Sequence, residues 1–381
     1  MKRFIASLLC AAMLFPAFFA THALETDAAA AVLLDAVTGQ TLYAKNENVR
    51  RGMASTTKIM SALIALERGD FSRVYTVNAE DAAVEGSALG LRKGNRLRLE
   101  ALLKGMMLVS GNDAAHALAN AVAGSQEAFV KMMNAKAHAL GLQHTHFANP
   151  SGLSDEQHYS TALDMALLTA YALRNRQFAS ICAKSRDKIV FISPKKQVVV
   201  QNHNRLLREY EGCIGVKTGF TQAAGRCLVS AAQKNGQTLI AVTLADAEDW
   251  QDHKKLLDFG FSQSEEIVFR FQKTTLPVVG SGTQSVGFCE SEVSFCTAAR
   301  LARHIHMQIE AEHFLYAPVV QGQQVASVVI RYRDKVIKRI PLHSAADAPR
   351  LVAEKSKWEQ FWESIIHYGK FGSQTSKIYG R

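Results

Sequence analysis

Cysteine and proline are scarce in this chain of 381 residues, occupying 6 and 7 positions. No two cysteines form a Cys-x-x-Cys pair and no His-rich run is found, so zinc-type ligand spacing is missing and no metal is expected. Internal repeats and low-complexity tracts are missing as well. Acidic residues are the minority charge, with 34 Asp and Glu against 44 Lys and Arg, a formal net charge of +10. The remaining composition, 48% apolar and 20% charged, is ordinary for globular proteins and excludes wholesale disorder. The length suffices for two domains with a sizeable core.

The N-terminus carries the one segment of distinct character. Lys2 and Arg3 precede an apolar run from Phe4 to Ala20, and Thr21-His22-Ala23 offers a small-residue cleavage site. Residues 1–23 therefore read as a secretory signal peptide, with an uncleaved anchor helix as the alternative. Cys10 lacks the small residue that normally precedes a lipidated cysteine, so a lipoprotein signal is set aside. For a basic exported protein anionic lipid or cell-wall polymer is the expected partner rather than nucleic acid, which export removes from reach, with a merely solvated basic surface as the equal alternative. Cys182, Cys213, Cys227, Cys289 and Cys296 remain after the leader, and an odd count leaves at least one thiol unpaired. Cys289 and Cys296 lie close together in a strand-rich stretch and are the expected pair.

Against this plain background three short motifs follow in one order: Ser55-Thr56-Thr57-Lys58, Ser110-Gly111-Asn112 and Lys217-Thr218-Gly219. Ser-x-x-Lys recurs at Ser185 and Ser193, so by itself it selects nothing. The other two triplets each occur once, and only Ser55 precedes both. A Ser-x-x-Lys, Ser-x-Asn, Lys-Thr-Gly series is the kit of serine acyl-enzymes that react with penicillin.

The chemistry explains why those residue types are needed together. A serine hydroxyl is a poor nucleophile until a base takes its proton. Ser55 and Lys58 are three apart at the start of a predicted helix and share one face. Lysine serves as a base once burial or a cationic neighbour favours the neutral amine, and Lys217 could be that neighbour. At the helix N-terminus the Ser55 N–H is free to stabilise an oxyanion. Taken alone, Ser55 is a simple N-cap, as is Ser110 ahead of the apolar run Ala114–Val122. Gly219 at a strand end lets a substrate backbone approach as an added strand, and Thr218 offers a hydroxyl to a carboxylate. Asp35, Asp164, His116, His138 and His203 are lone titratable residues, read as structural.

Patterning organises the rest. Ala31–Asp35 and Thr41–Lys45 read as a hairpin around Thr38-Gly39, and a helix runs from about Thr56 to Arg68 with Gly69 as its stop. Leu99 to Leu140 is helical with glycine punctuation, and Thr161 to about Arg174 is a further helix. Strands return at 188–192, 198–202, 213–218 and 227–233. The last turns through Asn235-Gly236 into 238–245, and a helix over 249–259 closes the unit. One sheet assembled from both ends of the domain and covered by helices is expected. After about Ser262 period-two alternation takes over at 266–272, 275–279, 306–312 and 325–342, a small β domain. Trp358, Phe361, Trp362, Ile365 and Ile366 then share one helical face.

On these motifs the chain resembles the D-alanyl-D-alanine carboxypeptidases, low-molecular-mass penicillin-binding proteins of the DacA type. The resemblance extends through Glu85-Gly86-Ser87, Leu89-Gly90-Leu91, Ser110 to Ala115, Asn149-Pro150-Ser151-Gly152-Leu153, Gly215 to Thr221 and Ala224-Gly225. It implies an α/β (α+β) fold of the penicillin-binding-protein/β-lactamase type, an antiparallel sheet flanked by helices plus a helical lobe. The implied organisation is a signal peptide at 1–23, a peptidase domain at 24–263, a small all-β domain at 264–349 and an amphipathic helix and tail at 350–381 that lie on the cytoplasmic membrane. It also implies an enzyme with no cofactor, acting on peptidoglycan pentapeptide and acylated by β-lactam antibiotics at the periplasmic face of that membrane. By the same resemblance Ser55, Lys58, Ser110 and Asn112 are catalytic, and Lys217, Thr218, Gly219 and Phe220 bind substrate, with Ser55 and Phe220 N–H groups as oxyanion hole. Asp249, before Trp250, stands where many members have an arginine that holds the substrate carboxylate; that role is vacant or falls to Arg226 or Arg205. Phe220 stands where some members have a histidine linked to faster deacylation. Alternatives are a D,D-endopeptidase, a β-lactamase-like hydrolase and a non-catalytic wall-binding protein. His144–Asn149 lacks the glutamate of a class A lactamase, endopeptidase relatives usually lack the β domain, and an intact motif set argues against decay.

Overall fold

The computed structural model describes residues 24–272, 274–351 and 356–362. The expected leader at 1–23 and the stripe positions Ile365 and Ile366 lie outside the described residues. Packing divides the described residues into two compact units; the first covers 24–262 apart from the turn Asn235–Gln237, and the second comprises that turn and the chain from Gln263.

The first unit opens with β1 (Ala30–Asp35) and β2 (Thr41–Lys45). Their turn is closed by Asp35 Oδ1, which accepts the Val37 and Thr38 N–H groups at 3.1 and 2.8 Å, an Asx-type closure. A single 3₁₀ turn, Ala54–Thr57, feeds α1 (Lys58–Arg68), which ends where the Gly69 N–H donates to Ala65 O at 2.7 Å. The patterning left the next stretch unassigned; it forms β3 (Val74–Thr76), α2 (Ala79–Ala82) and β4 (Arg96–Arg98). The long helical stretch resolves into α3 (Leu99–Leu108), α4 (Asn112–Ala123) and α5 (Gln126–Ala139), broken at Gly111 and Gly124. Gly105 instead lies inside α3, where an added Cβ would stand 2.6 Å from Leu89. Then come α6 (Ala162–Ala172), α7 (Arg176–Cys182), β5 (Arg186–Ser193), β6 (Lys196–Gln201), α8 (Leu206–Glu209), β7 (Cys213–Thr221), β8 (Gly225–Lys234), β9 (Gln237–Leu244) and α9 (Asp249–Ser262).

The main sheet has the order β2-β1-β9-β8-β7, so the N-terminal hairpin is completed by strands from the far end of the unit, as expected. A second sheet, β3-β4-β5-β6, borders the helical lobe. Lys58, Ile59, Met60, Ser61, Ala62, Leu63, Ile64 and Ala65 are all buried, so most of α1 is buried around its circumference. A helix of that kind belongs inside a core, and α1 touches α3, α4, α5, α6 and α7. Each buried Leu or Ile side chain contributes about 1.5–3 kcal/mol. The main consequence is positional: the helix that begins with Lys58 is fixed from every side.

The second unit contains β10 (Ser264–Arg270), β11 (Thr275–Val279), β12 (Ser285–Gly287), β13 (Glu292–Ala298), α10 (Ala299–Ala302), β14 (Ile305–Ala311), β15 (Leu315–Tyr316), β16 (Gln324–Tyr332) and β17 (Lys335–His343). Its small sheets pair β10 with β13, β11 with β12 and β15, and β16 with β14 and β17. Val278, Val286, Phe295, Val328, Ile330 and Leu342 form its apolar interior. The alternation over 325–342 is thus a hairpin of two strands, turning at Arg333 in the left-handed region (φ 53°). The expected Cys289–Cys296 disulfide is not formed, and both thiols are free. Cys296 is held on β13 opposite Glu266. Cys289 is drawn to the end of β17, donating its N–H to His343 O at 2.8 Å and its thiol to Ser344 O at 3.1 Å. Among the described residues no helix is long and apolar enough to cross a membrane.

Candidate active site

Ser55 sits on the 3₁₀ turn and Lys58 opens α1, so the two side chains meet: Lys58 Nζ lies 2.8 Å from Ser55 Oγ. Two more acceptors surround Nζ, Asn112 Oδ1 at 2.7 Å and Ser151 O at 2.5 Å. Lys58 is fully buried, and its pKa is held well below the ordinary lysine value, chiefly by desolvation and next by the charge of Lys217. In the neutral amine both N–H bonds have an acceptor in Asn112 and Ser151, which leaves the nitrogen lone pair directed at the Ser55 hydroxyl. That arrangement can take the serine proton.

Asn112 is oriented from its other end, where Nδ2 donates to Glu85 O at 2.7 Å. Next to it, the Asp113 carboxylate accepts the N–H groups of Leu89, Gly90 and Leu91 at 2.8–2.9 Å and ties the 85–91 loop to the start of α4. Asp113 is also the negative charge that pulls the Lys58 pKa back upward. Ser110 precedes α4 in the left-handed region (φ 59°), as Ala54 does just before Ser55 (φ 46°). Left-handed backbone at non-glycine residues costs on the order of 1–3 kcal/mol each, and here it occurs at two residues that flank the Ser55 hydroxyl, one next to it in sequence and one across the cleft.

A cleft of about 250 Å³ opens above these groups. Ser55, Ser87, Ser110, Thr218, Gly219 and Phe220 line one side of it, and His203, Arg226, Asp249 and Trp250 complete it. Strand β7, which brings Thr218, Gly219 and Phe220, is the open edge of the main sheet. A Cβ on Gly219 would come within 2.9 Å of Ser55 N, so only glycine lets this strand pack beside the 3₁₀ turn. Lys217 points inward, donates to Thr218 O at 2.9 Å and is desolvated enough to bring its pKa down to about 7. Arg226 Nη2 donates to both oxygens of Asp249 at 2.7 and 3.0 Å. Of the two arginines weighed for the carboxylate role, Arg226 lines the cleft, whereas Arg205 pairs with Glu209 at 2.9 Å outside it.

Part of the support was not anticipated from the sequence. The Asn149 side-chain oxygen accepts the N–H groups of Ser151, Gly152 and Leu153, which aims Ser151 O at Lys58. Gly152 has φ +87°, and a Cβ there would lie 2.0 Å from Ala54 O. His158, kept neutral by burial with a pKa of about 4, accepts the Ala148 N–H at Nδ1 and so carries its proton on Nε2, 2.7 Å from Thr57 Oγ1. Thr57 Oγ1 in turn donates to Ala54 O at 2.8 Å, bracing the turn that holds Ser55. A lone buried histidine carries no motif, so nothing in the sequence marked His158. Of the residues read as structural, His203 stands in the cleft. Asp35 closes the β1–β2 turn and Asp164 accepts from His144 N and Thr145 Oγ1. No cluster of metal ligands occurs among the described residues.

The sequence profile of the D-alanyl-D-alanine carboxypeptidase family matches residues 17–248. The chain belongs to that family. Bacillus subtilis DacF, a D-alanyl-D-alanine carboxypeptidase, is 35% identical over 91% of this chain and 95% of its own length. Escherichia coli DacA is 30% identical over 91% of this chain and 88% of its own. Among solved structures, the D-alanyl-D-alanine carboxypeptidase DacD of Francisella tularensis superposes with a TM-score of 0.59 at 28% identity, covering 86% of this chain and 95% of that one. A Streptomyces DD-transpeptidase superposes with a TM-score of 0.60 at 31% identity, covering 62% of this chain and 98% of its own. The carboxypeptidase family thus accounts for the fold of the first unit, and the DacF and DacD matches reach into the second.

Proposed function

We propose that this serine peptidase removes the terminal D-alanine from peptidoglycan pentapeptides through an acyl-enzyme on Ser55. The observation that carries the reading is the buried Lys58 amine, 2.8 Å from Ser55 Oγ and depressed in pKa. Lys58 takes the Ser55 proton as Oγ attacks the carbonyl carbon of the penultimate D-alanine. The N–H groups of Ser55 and Phe220 receive the oxyanion. As the C–N bond breaks, the departing D-alanine nitrogen receives a proton through Ser110 and the lysine network, and water then hydrolyses the ester. Thr218 and Lys217 hold the terminal carboxylate, joined by Arg226 from the neighbouring strand. The same path ends at a stable ester when a β-lactam opens on Ser55, which makes penicillin a covalent ligand.

Residues 1–23 serve as an export leader, 24–263 as the peptidase domain, 264–349 as a β domain and 350–381 as a segment resting on the outer face of the cytoplasmic membrane. Trp358, Phe361 and Trp362 support the last point, since all three rings are exposed on residues 357–362 and suit a membrane interface.

The deciding experiment follows D-alanine release from a D-Ala-D-Ala pentapeptide. Wild type should release it, and Ser55→Ala should fall by at least about 10⁴-fold while remaining folded. Release by Ser55→Ala at the wild-type rate would remove Ser55 from the mechanism.

A further inference from the structure

The second unit carries an apolar patch at the point where the chain leaves it. Val279 on β11 is in parallel register with Tyr316 on β15. The rings of Phe314 and Tyr316 meet edge to face with centroids 5.3 Å apart. Leu351 joins them, because its N–H donates at 2.7 Å to O of Gly280, next to Val279. Four large apolar residues therefore stand near one another along this stretch of backbone, all solvent-exposed: Tyr316 72%, Leu351 61%, Val279 50% and Phe314 43%. Clustered exposure of this kind marks a contact surface, unlike the scattered single residues normal on any protein.

Chain connectivity indicates the occupant. Leu351 is six residues from Lys357, so the helical residues 357–362 begin no farther than about 20 Å from the patch even if the intervening chain is fully extended. Those residues expose Trp358, Phe361 and Trp362. Both groups are rich in Tyr, Trp and Phe, which suit the boundary between headgroups and acyl chains. Arg350 stands beside Leu351 as a cation able to meet a lipid phosphate, and Glu312 is the acid nearest to Phe314 along the chain.

We propose that Val279, Phe314, Tyr316 and Leu351 enter the membrane interface together with the aromatic helix, attaching the β domain to the lipid surface at two points. This rests on the membrane reading given above. The helix is then one contact of a pair, and the patch fixes which end of the β domain faces the bilayer.

The test measures cosedimentation of the full-length protein with vesicles of phosphatidylethanolamine and phosphatidylglycerol. Phe314→Ser with Tyr316→Ser, and Leu351→Ser separately, should each weaken binding, the double variant by about tenfold, with penicillin labelling of Ser55 unchanged. Tyr316→Trp should keep wild-type binding, because it preserves the interfacial ring. Trp358→Ser with Trp362→Ser should also weaken binding. Patch variants that bind like wild type while the helix variant is impaired would overturn the patch and leave the helix intact. Wild-type binding by the helix variant would overturn the helix reading, and the two-point attachment with it.

Discussion

The two units of this chain bury different kinds of residue. Among the described residues the first encloses Lys58, Lys217, Asp81, Asp113, Asp164, Asp252 and His253, whereas the second buries no charged side chain and, of the polar ones, Gln237, Thr297 and Ser344. Desolvating a charge is expensive unless partners compensate, and even then apolar replacements often do as well. A fold has no reason of stability to accumulate such groups. Lys58, Lys217 and Asp113 lie by the Ser55 hydroxyl, whereas Asp81, Asp164, Asp252 and His253 are held by hydrogen bonds elsewhere in that unit. The second unit is built as an ordinary apolar β interior. The contrast separates chemistry from support.

The sharpest way to break this contrast is Lys58→Met. Loss of the base should lower acylation by penicillin on the order of 10²–10⁴-fold. The relief gained by removing a buried amine is offset by the unpaired Asn112 Oδ1 and Ser151 O left behind, so the fold should change in stability by less than about 2 kcal/mol, read from denaturant unfolding. A variant that kept the wild-type acylation rate would take Lys58 out of the proton transfer.

A pH series on Lys217 tests the same idea by a second route. In the folded state its pKa is about 7, against an ordinary value of 10.5. The unfolded chain therefore holds this proton between those values when the folded one does not, and stability rises with pH across that window. Relative to Lys217→Met, the wild type should be least stable at and below pH about 7, and the gap should close as pH approaches about 10.5. A gap that stays constant would show that Lys217 is not desolvated.

The smallest effect on catalysis is expected from the second unit. Val328→Ala, in the interior of β16, should cost about 2 kcal/mol there and leave D-alanine release unchanged. Activity falling in step with that loss would tie the β unit to the chemistry.

Much of this was legible because the site is encoded by short, ordered triplets whose members meet in space. Ser55, Lys58 and Asn112 come together, and Ser110, Thr218, Gly219 and Phe220 line the same cleft. The bracing of that site was not legible. The segment 149–153 was visible only as part of the family resemblance; what its Ser151 carbonyl and Asn149 side chain do, like the His158–Thr57 contact, depends on loop geometry, which leaves no periodic trace. The short strands β3, β4 and β12 were missed because three residues cannot establish a period. The disulfide expectation failed because proximity along the sequence said nothing of β17, whose end draws Cys289 away.

The pairing of β1 with β9 bears on how the protein matures. Ala30 is opposite Leu244, so the main sheet cannot close until more than half of the chain has been synthesised. Non-local pairing of this kind raises contact order and slows folding, and the early hairpin must wait with an unpaired edge. The strand that flanks Ser55, β7, joins through β8 and β9 in the same late event. A chain still being synthesised therefore has no assembled site around Ser55, and hydrolytic competence begins only when the whole unit is complete.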